Sequence, residues 1–251
     1  MTTAVTNDQD LQTTEADQGQ SVAASSSIIF ELEGIVGSMR QATFDVLKSI
    51  LGEQGAKITP VHISRYCLQT PPEMYLESLL EAVNITRQSM DKLLDDIRGG
   101  IDMQLSSKSA TLPRPLSDLF KTASKRGVSL AAISALPEST SNALLENLGL
   151  SSFGVRLFTM EIDDEGGFPR ADSWLKVARS LGRHPAQCGV IATSHAASKS
   201  ALSAGMRCVA IPDSFTGFED FSGANAIIED LTESDAETLL GDLCPHLMDG
   251  A

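Results

Sequence analysis

Local arrangements that could do chemistry unaided are few in this 251-residue sequence. His195 follows Thr193 and Ser194 where an apolar run gives way to a helical pattern, a place from which an imidazole could act as a general base. No acidic partner stands beside it, so it reads as a histidine at a helix start, with Thr193 or Ser194 as the cap. The free amides of such a helix start could still hold an anion. Asp163, Asp164 and Glu165 supply the hard oxygens that magnesium prefers, but they run into Gly166-Gly167 and read as a solvated turn. The glycine pair lacks the lysine and the spacing of a phosphate loop. Ser134, ending an apolar run, can offer a hydroxyl to an anion, although turn and cap roles are commoner for such a serine. Arg170, two residues past Phe168, could supply a cation to such an anion but reads as an exposed surface residue. Cys67, Cys188, Cys208 and Cys244 form no CxxC pair, which argues against structural zinc and against a disulfide scaffold. Cys188 and Cys208 border apolar runs and read as buried free thiols.

The elements that must position these residues follow from periodicity. Ile28 to Val36 begins apolar and breaks at Gly34, as a buried strand running into a loop does. From Met39 to about Leu105 the pattern is helical. A first helix spans roughly Gln41 to Leu51. Leu76, Leu79, Leu80 and Val83 share one face of a second, set off by Pro71-Pro72. Met90, Leu93, Leu94 and Ile97 share a face of a third, with Thr86 as its N-cap. Ser106 to Pro115 reads as a linker. Strands and helices then alternate: helix 116–126, strand 128–135, helix 139–147 ended by Gly149, strand 153–159, helix 171–181, strand 188–193, helix 196–204, strand 207–211, strand 226–229 and a final helix. Such alternation predicts a doubly wound parallel α/β sheet covered on both faces, with sites at the carboxyl ends of the strands. The helical block interrupts it after the first strand, as an inserted α-helical cap would. The predicted division is a disordered tail at 1–26, a core of 27–38 and 110–251, and a cap at 39–109.

A formal net charge of −14, from 33 acidic and 19 basic side chains, excludes nucleic acid and anionic membrane as expected partners. No apolar stretch is long enough to span a bilayer, and the thiols fit a reducing cytoplasm.

Several ordered phrases resemble the haloacid-dehalogenase (HAD)-like superfamily, in its phosphoglucomutase and phosphoglycolate-phosphatase branch with a helical cap. Asp172 to Lys176 followed by Leu181-Gly182-Arg183-His184-Pro185-Ala186-Gln187-Cys188 is similar to that branch's PDxFLxAAxxLGxxPxxC run. Ser200 to Met206 resembles its AAxxAGM, and Phe221-Ser222-Gly223-Ala224 a phrase near its end. The resemblance covers Ile28 to the C-terminus and implies a Rossmann-like core.

It also implies a catalytic set. An aspartate ending the first strand attacks phosphorus, an aspartate two residues on is acid and base, a Ser or Thr after the second strand holds phosphate, a lysine neutralises it, and an acidic pair helps bind Mg²⁺. Here Glu31 stands at the nucleophile position and Glu33 at the acid/base position. Each carries an extra methylene, which moves the carboxylate by about 1 Å, enough to cost on the order of 10²-fold in rate. Ser134 keeps the phosphate-binding hydroxyl. Phe168 takes the lysine position, and Ala192 and Thr193 replace the acidic pair. Both glutamates are expected to be relics facing solvent at a strand end. An alternative has Glu31 filling the phosphoryl position beside Ser134.

The functional expectation is a non-catalytic or crippled HAD-like protein, acting by binding a small anionic metabolite or a protein partner, with no cofactor and no metal ligands. The alternative is a divergent phosphohydrolase acting on a small phosphorylated metabolite, with Glu31 as nucleophile and Mg²⁺ bound by rewired ligands.

Overall fold

The computed structural model describes residues 26–35, 38–68, 71–85, 89–106, 111–160 and 168–248. Residues 1–25 of the expected tail, Thr86, most of the expected linker's start (107–110) and the acidic run 161–167 lie outside these residues.

The core is a six-stranded sheet in the order β3-β2-β1-β4-β5-β6, parallel throughout. Its strands are β1 (Ser27–Glu31), β2 (Ser129–Ser134), β3 (Arg156–Thr159), β4 (Cys188–Ala192), β5 (Arg207–Ala210) and β6 (Ala226–Ile227). The order reverses direction at β1, so β1 has β2 on one side and β4 on the other. In open α/β sheets that reversal opens a crevice at the strands' carboxyl ends. β1, β2 and β4 are nearly continuous runs of Ile, Val, Leu and Ala because both their faces are covered. One face packs Phe30 and Leu130 against Leu119 and Phe120, and the other packs Ile29 and Val190 against Trp174 and Val177. Phe30 and Phe120 stack with ring centroids 4.7 Å apart.

Among the described residues nine α-helices of four residues or more run in chain order, with a short helical stretch over Pro60–His62 and Ile63–Cys67 between the second and third: α1 (Leu32–Ile35), α2 (Ser38–Gly52), α3 (Pro72–Ala82), α4 (Met90–Ser106), α5 (Arg114–Lys125), α6 (Glu138–Asn147), α7 (Ala171–Ser180), α8 (His195–Ser203) and α9 (Ala236–Leu243). The sequence places all but α1, generally to within about two or three residues, with α4 running on to Ser106. The 139–147 helix ends as expected: Gly149 adopts φ 68°, a left-handed conformation that costs a glycine little. Helices α2, α3 and α4 carry a hydrophobic cluster of their own, with Leu47, Leu51, Leu76, Leu79 and Ile97 at its centre. The core contributes one side chain to it. Phe215, from the loop after β5, is 3% exposed and faces Phe44, while its carbonyl accepts from Ser64 Oγ.

The strand expected over 153–159 begins only at Arg156, after a 3₁₀ turn over Leu150–Phe153, and the one expected over 226–229 ends at Ile227; two further differences lie at the two ends of β1. The first strand stops at Glu31, and Leu32 to Ile35 form a helical turn instead of continuing toward Val36. Leu32 and Ile35, three residues apart, both enter the core from that turn. Gly34 sits against β4's end, where an added Cβ would overlap Thr193 Oγ1. Ser26, assigned to the tail, is fully buried, and its hydroxyl hydrogen-bonds His246 Nε2 at 2.6 Å.

Candidate active site

In an unbroken strand, Glu31 and Glu33 would point to the same face. The turn at α1 sends them to opposite neighbours. Glu31, the last residue of β1 and 1% exposed, turns toward β4. Its Oε2 accepts from the Thr193 amide at 3.2 Å and from Thr193 Oγ1 at 3.3 Å. Glu33 turns toward β2, where its Oε1 accepts from Ser134 Oγ at 2.7 Å, the Ala135 amide at 2.6 Å and the Leu136 amide at 3.2 Å. Ser134 is fully buried and also hydrogen-bonds Ser141 Oγ. Glu31 is buried, and Glu33 is half-buried with its carboxyl held against the end of β2, which corrects the expectation of relics facing solvent. Glu31 points away from Ser134, so it does not fill the position beside that hydroxyl; Glu33 does.

Both carboxyls are buried, and each keeps one oxygen without a hydrogen-bond partner, Glu31 Oε1 and Glu33 Oε2. Burial lifts Glu31 from its ordinary 4.5 to about 7, against the opposing pull of the Arg40 charge and the Thr193 amide. Burial also raises Glu33, with the Ser134 hydroxyl and the amides pulling it back. Protonation removes the charge of a buried carboxyl, so the raised pKa values lower the cost of leaving one oxygen of each without a partner.

Arg40, in the first turn of α2, reaches this end of the sheet and is 8% exposed. Its Nη1 donates to Asp213 Oδ2 at 2.6 Å and its Nη2 to Thr193 Oγ1 at 2.8 Å. Asp213 Oδ1 accepts from the amides of Phe215 and Thr216. The sequence reading missed Arg40 and Asp213, whose contact spans 173 positions. One signal was present: a cation in a first helical turn opposes the helix dipole, so such a residue needs a tertiary reason to be there.

The other expected residues fall as follows. Phe168, where the resemblance puts a lysine, is 5% exposed and packs in the core beside Trp174 and Ala192. Arg170 is exposed and caps the start of α7. Ala192 ends β4, fully buried. His195 is the first residue of α8, with Ser194 as its N-cap, as the sequence suggests. Its amide donates to Glu219 Oε2 at 2.7 Å and its Nδ1 meets the Asp220 carbonyl, so a carboxylate of the chain already sits at this helix start. All four cysteines are buried free thiols. A cleft of about 1170 Å³ opens between α2–α4 and the strand ends; Glu33, Arg40, Tyr75, Arg98, Leu136 and Lys176 are among its lining.

The resemblance implies magnesium, a hard cation that takes about six oxygens, one or two of them carboxylates. At this end of β1 and β4 Ala192 offers no ligand atom, Thr193 offers a neutral hydroxyl already bonded to a guanidinium, and the Asp213 carboxylate is bonded to that same guanidinium. Among the described residues no three His, Cys, Asp or Glu side chains form a metal-holding group. The residues present do not fit the ion.

No protein-family model matches the chain. It is 24% identical over 218 residues to YhcW of Bacillus subtilis (strain 168), provisionally named a phosphatase, covering 86% of this chain and 97% of that one. Among solved structures it resembles the β-phosphoglucomutase PgmB of Clostridium difficile, with TM-score 0.70 and 14% identity over 89% of this chain and 99% of that one. It also resembles a conserved haloacid-dehalogenase-like protein of Agrobacterium tumefaciens strain C58, with TM-score 0.65 and 20% identity over 83% and 95%. The chain has the HAD-like hydrolase fold, a doubly wound parallel sheet with helices inserted after its first strand. The fold that the resemblance read from the sequence implies is borne out. Among the described residues no helix is long and apolar enough to cross a membrane.

Proposed function

We propose that this chain is a HAD-fold binding protein that holds a small anionic metabolite in the cleft between cap and core and does not turn over phosphate esters efficiently. The observation that carries the reading is the Glu33 carboxyl in the cradle of Ser134 Oγ and the Ala135 and Leu136 amides. Three donors converging on one oxygen are what a phosphoryl oxygen would need, and a side chain of the protein already takes them. Phe168, buried where a lysine would neutralise phosphate, supports the same reading. Among the described cations of the cleft wall, Arg98 is paired with Glu73 and Asp95 and Arg40 with Asp213, which leaves Lys176 to meet an anion. A protein partner seated on the cap is the other occupant in keeping with this function.

A second reading, a divergent phosphohydrolase, is favoured by one feature: Glu31 ends β1 with Oε1 unpartnered. As nucleophile it would form an acyl phosphate and release an alcohol, and water would then hydrolyse the intermediate. Hydrolysis of an aryl phosphate and a panel of sugar phosphates with Mg²⁺, beside an identically purified Glu31→Ala variant, separates the two. Equal background in both chains supports the binding protein. Turnover lost in Glu31→Ala supports the enzyme.

A further inference from the structure

We propose that the guanidinium of Arg40, clamped between Asp213 and Thr193, is the built-in counter-cation of Glu31 and stands in for a divalent metal, so that this site is assembled without one. Three observations carry it. Thr193 Oγ1 links the two groups, receiving from Arg40 Nη2 at 2.8 Å and donating to Glu31 Oε2 at 3.3 Å, so the guanidinium lies two hydrogen bonds from the carboxyl. Arg40 is buried, and its charge is the strongest influence holding the Glu31 pKa down. Asp213 is fixed by its own loop: Oδ1 takes the Phe215 and Thr216 amides, which leaves Oδ2 aimed at Nη1. A planar guanidinium suits this role because it stays charged when desolvated and offers two donors in fixed directions. A metal ion entering between β1 and β4 would have to displace a cation already paired with Asp213, and Ala192 and Thr193 offer it no carboxylate there.

The proposal concerns metal binding rather than turnover, so it stands or falls independently of the function proposed above. The first probe is Mn²⁺, titrated into the full chain and followed by the electron paramagnetic resonance of the free ion. The expected result is no stoichiometric site at millimolar Mn²⁺. Stoichiometric binding that disappears in Glu31→Gln would overturn the proposal. The second readout is the protonation midpoint of Glu31, taken from the pH dependence of the stability difference between a chain and its Glu31→Gln partner. Arg40→Gln keeps hydrogen-bonding capacity without charge, and the midpoint is expected to rise, with proton affinity increasing about tenfold or more. Arg40→Lys keeps the charge and should leave it near the wild-type value. A midpoint unmoved in Arg40→Gln would reduce Arg40 to a packing residue and overturn the proposal. If Arg40→Gln does not fold, the Mn²⁺ titration of the wild-type chain decides.

Discussion

Ser134 and Glu33, 101 positions apart, meet through a 2.7 Å hydrogen bond in which the serine hydroxyl donates to the carboxyl. The same oxygen also collects the Ala135 and Leu136 amides, so one side chain fills a three-donor cradle at the carboxyl end of β2. Shortening it should vacate the cradle. Glu33→Ala is expected to bind inorganic phosphate at least tenfold more tightly than the wild-type chain by isothermal titration calorimetry. Glu33→Ala combined with Ser134→Ala should lose that gain. Phosphate affinity unchanged by Glu33→Ala would mean that the cradle is not an anion site.

Glu31 predicts a pH dependence of stability. Its folded-state pKa, about 7, lies above its ordinary 4.5, so between those values the folded chain holds a proton that the unfolded chain has lost. Stability therefore falls as pH rises through that window, by up to about 3 kcal/mol from this group. The Glu33 shift acts in the same direction. In urea unfolding, Glu31→Gln should match the wild-type chain near pH 4 and exceed it near pH 8.

Gly34 is there because Thr193 is close. Gly34→Ala would push a methyl into Thr193 Oγ1, and the expected loss is about 1–3 kcal/mol by denaturant unfolding. Thr193→Ala makes room, so the double variant should lose less than the two single changes together. Additive losses would place the strain elsewhere.

Much of this architecture was legible in the sequence, and the parts that were not share a physical cause. The strands show because both faces of the sheet are covered, leaving apolar runs such as Val128 to Ile133. The helices show because Leu76, Leu79 and Leu80 repeat at helical spacing. Glu31, Ser134 and Ala192 end β1, β2 and β4, and Glu33 and Thr193 lie just beyond, at the strand ends the resemblance pointed to. The direction of the carboxyls did not show. It depends on α1, a single turn too short to leave a periodic signal, and on which neighbour each side chain finds. Arg40 and Asp213 were invisible for a related reason: each is ordinary in its local context, and only the folded chain brings them together.

Phe215 predicts how firmly the two parts of the molecule are joined. It is a core-loop residue buried in the cap's apolar cluster, with its carbonyl held by Ser64. Phe215→Ala should cost about 3–5 kcal/mol. Hydrogen exchange should quicken in α2 and α3 more than in β1 and β4. Uniform acceleration would show that cap and core open as one unit.

The bond between Ser26 and His246 bears on how the molecule can be handled. Ser26 directly precedes β1, so this junction lies at the amino end of a strand whose carboxyl end carries Glu31, roughly 17 Å away at about 3.3 Å per residue. A tether, fluorophore or fused domain joined next to either residue therefore leaves from the side of the sheet opposite the cleft. The chain can be anchored to a sensor surface at His246 with its cavity facing the solution.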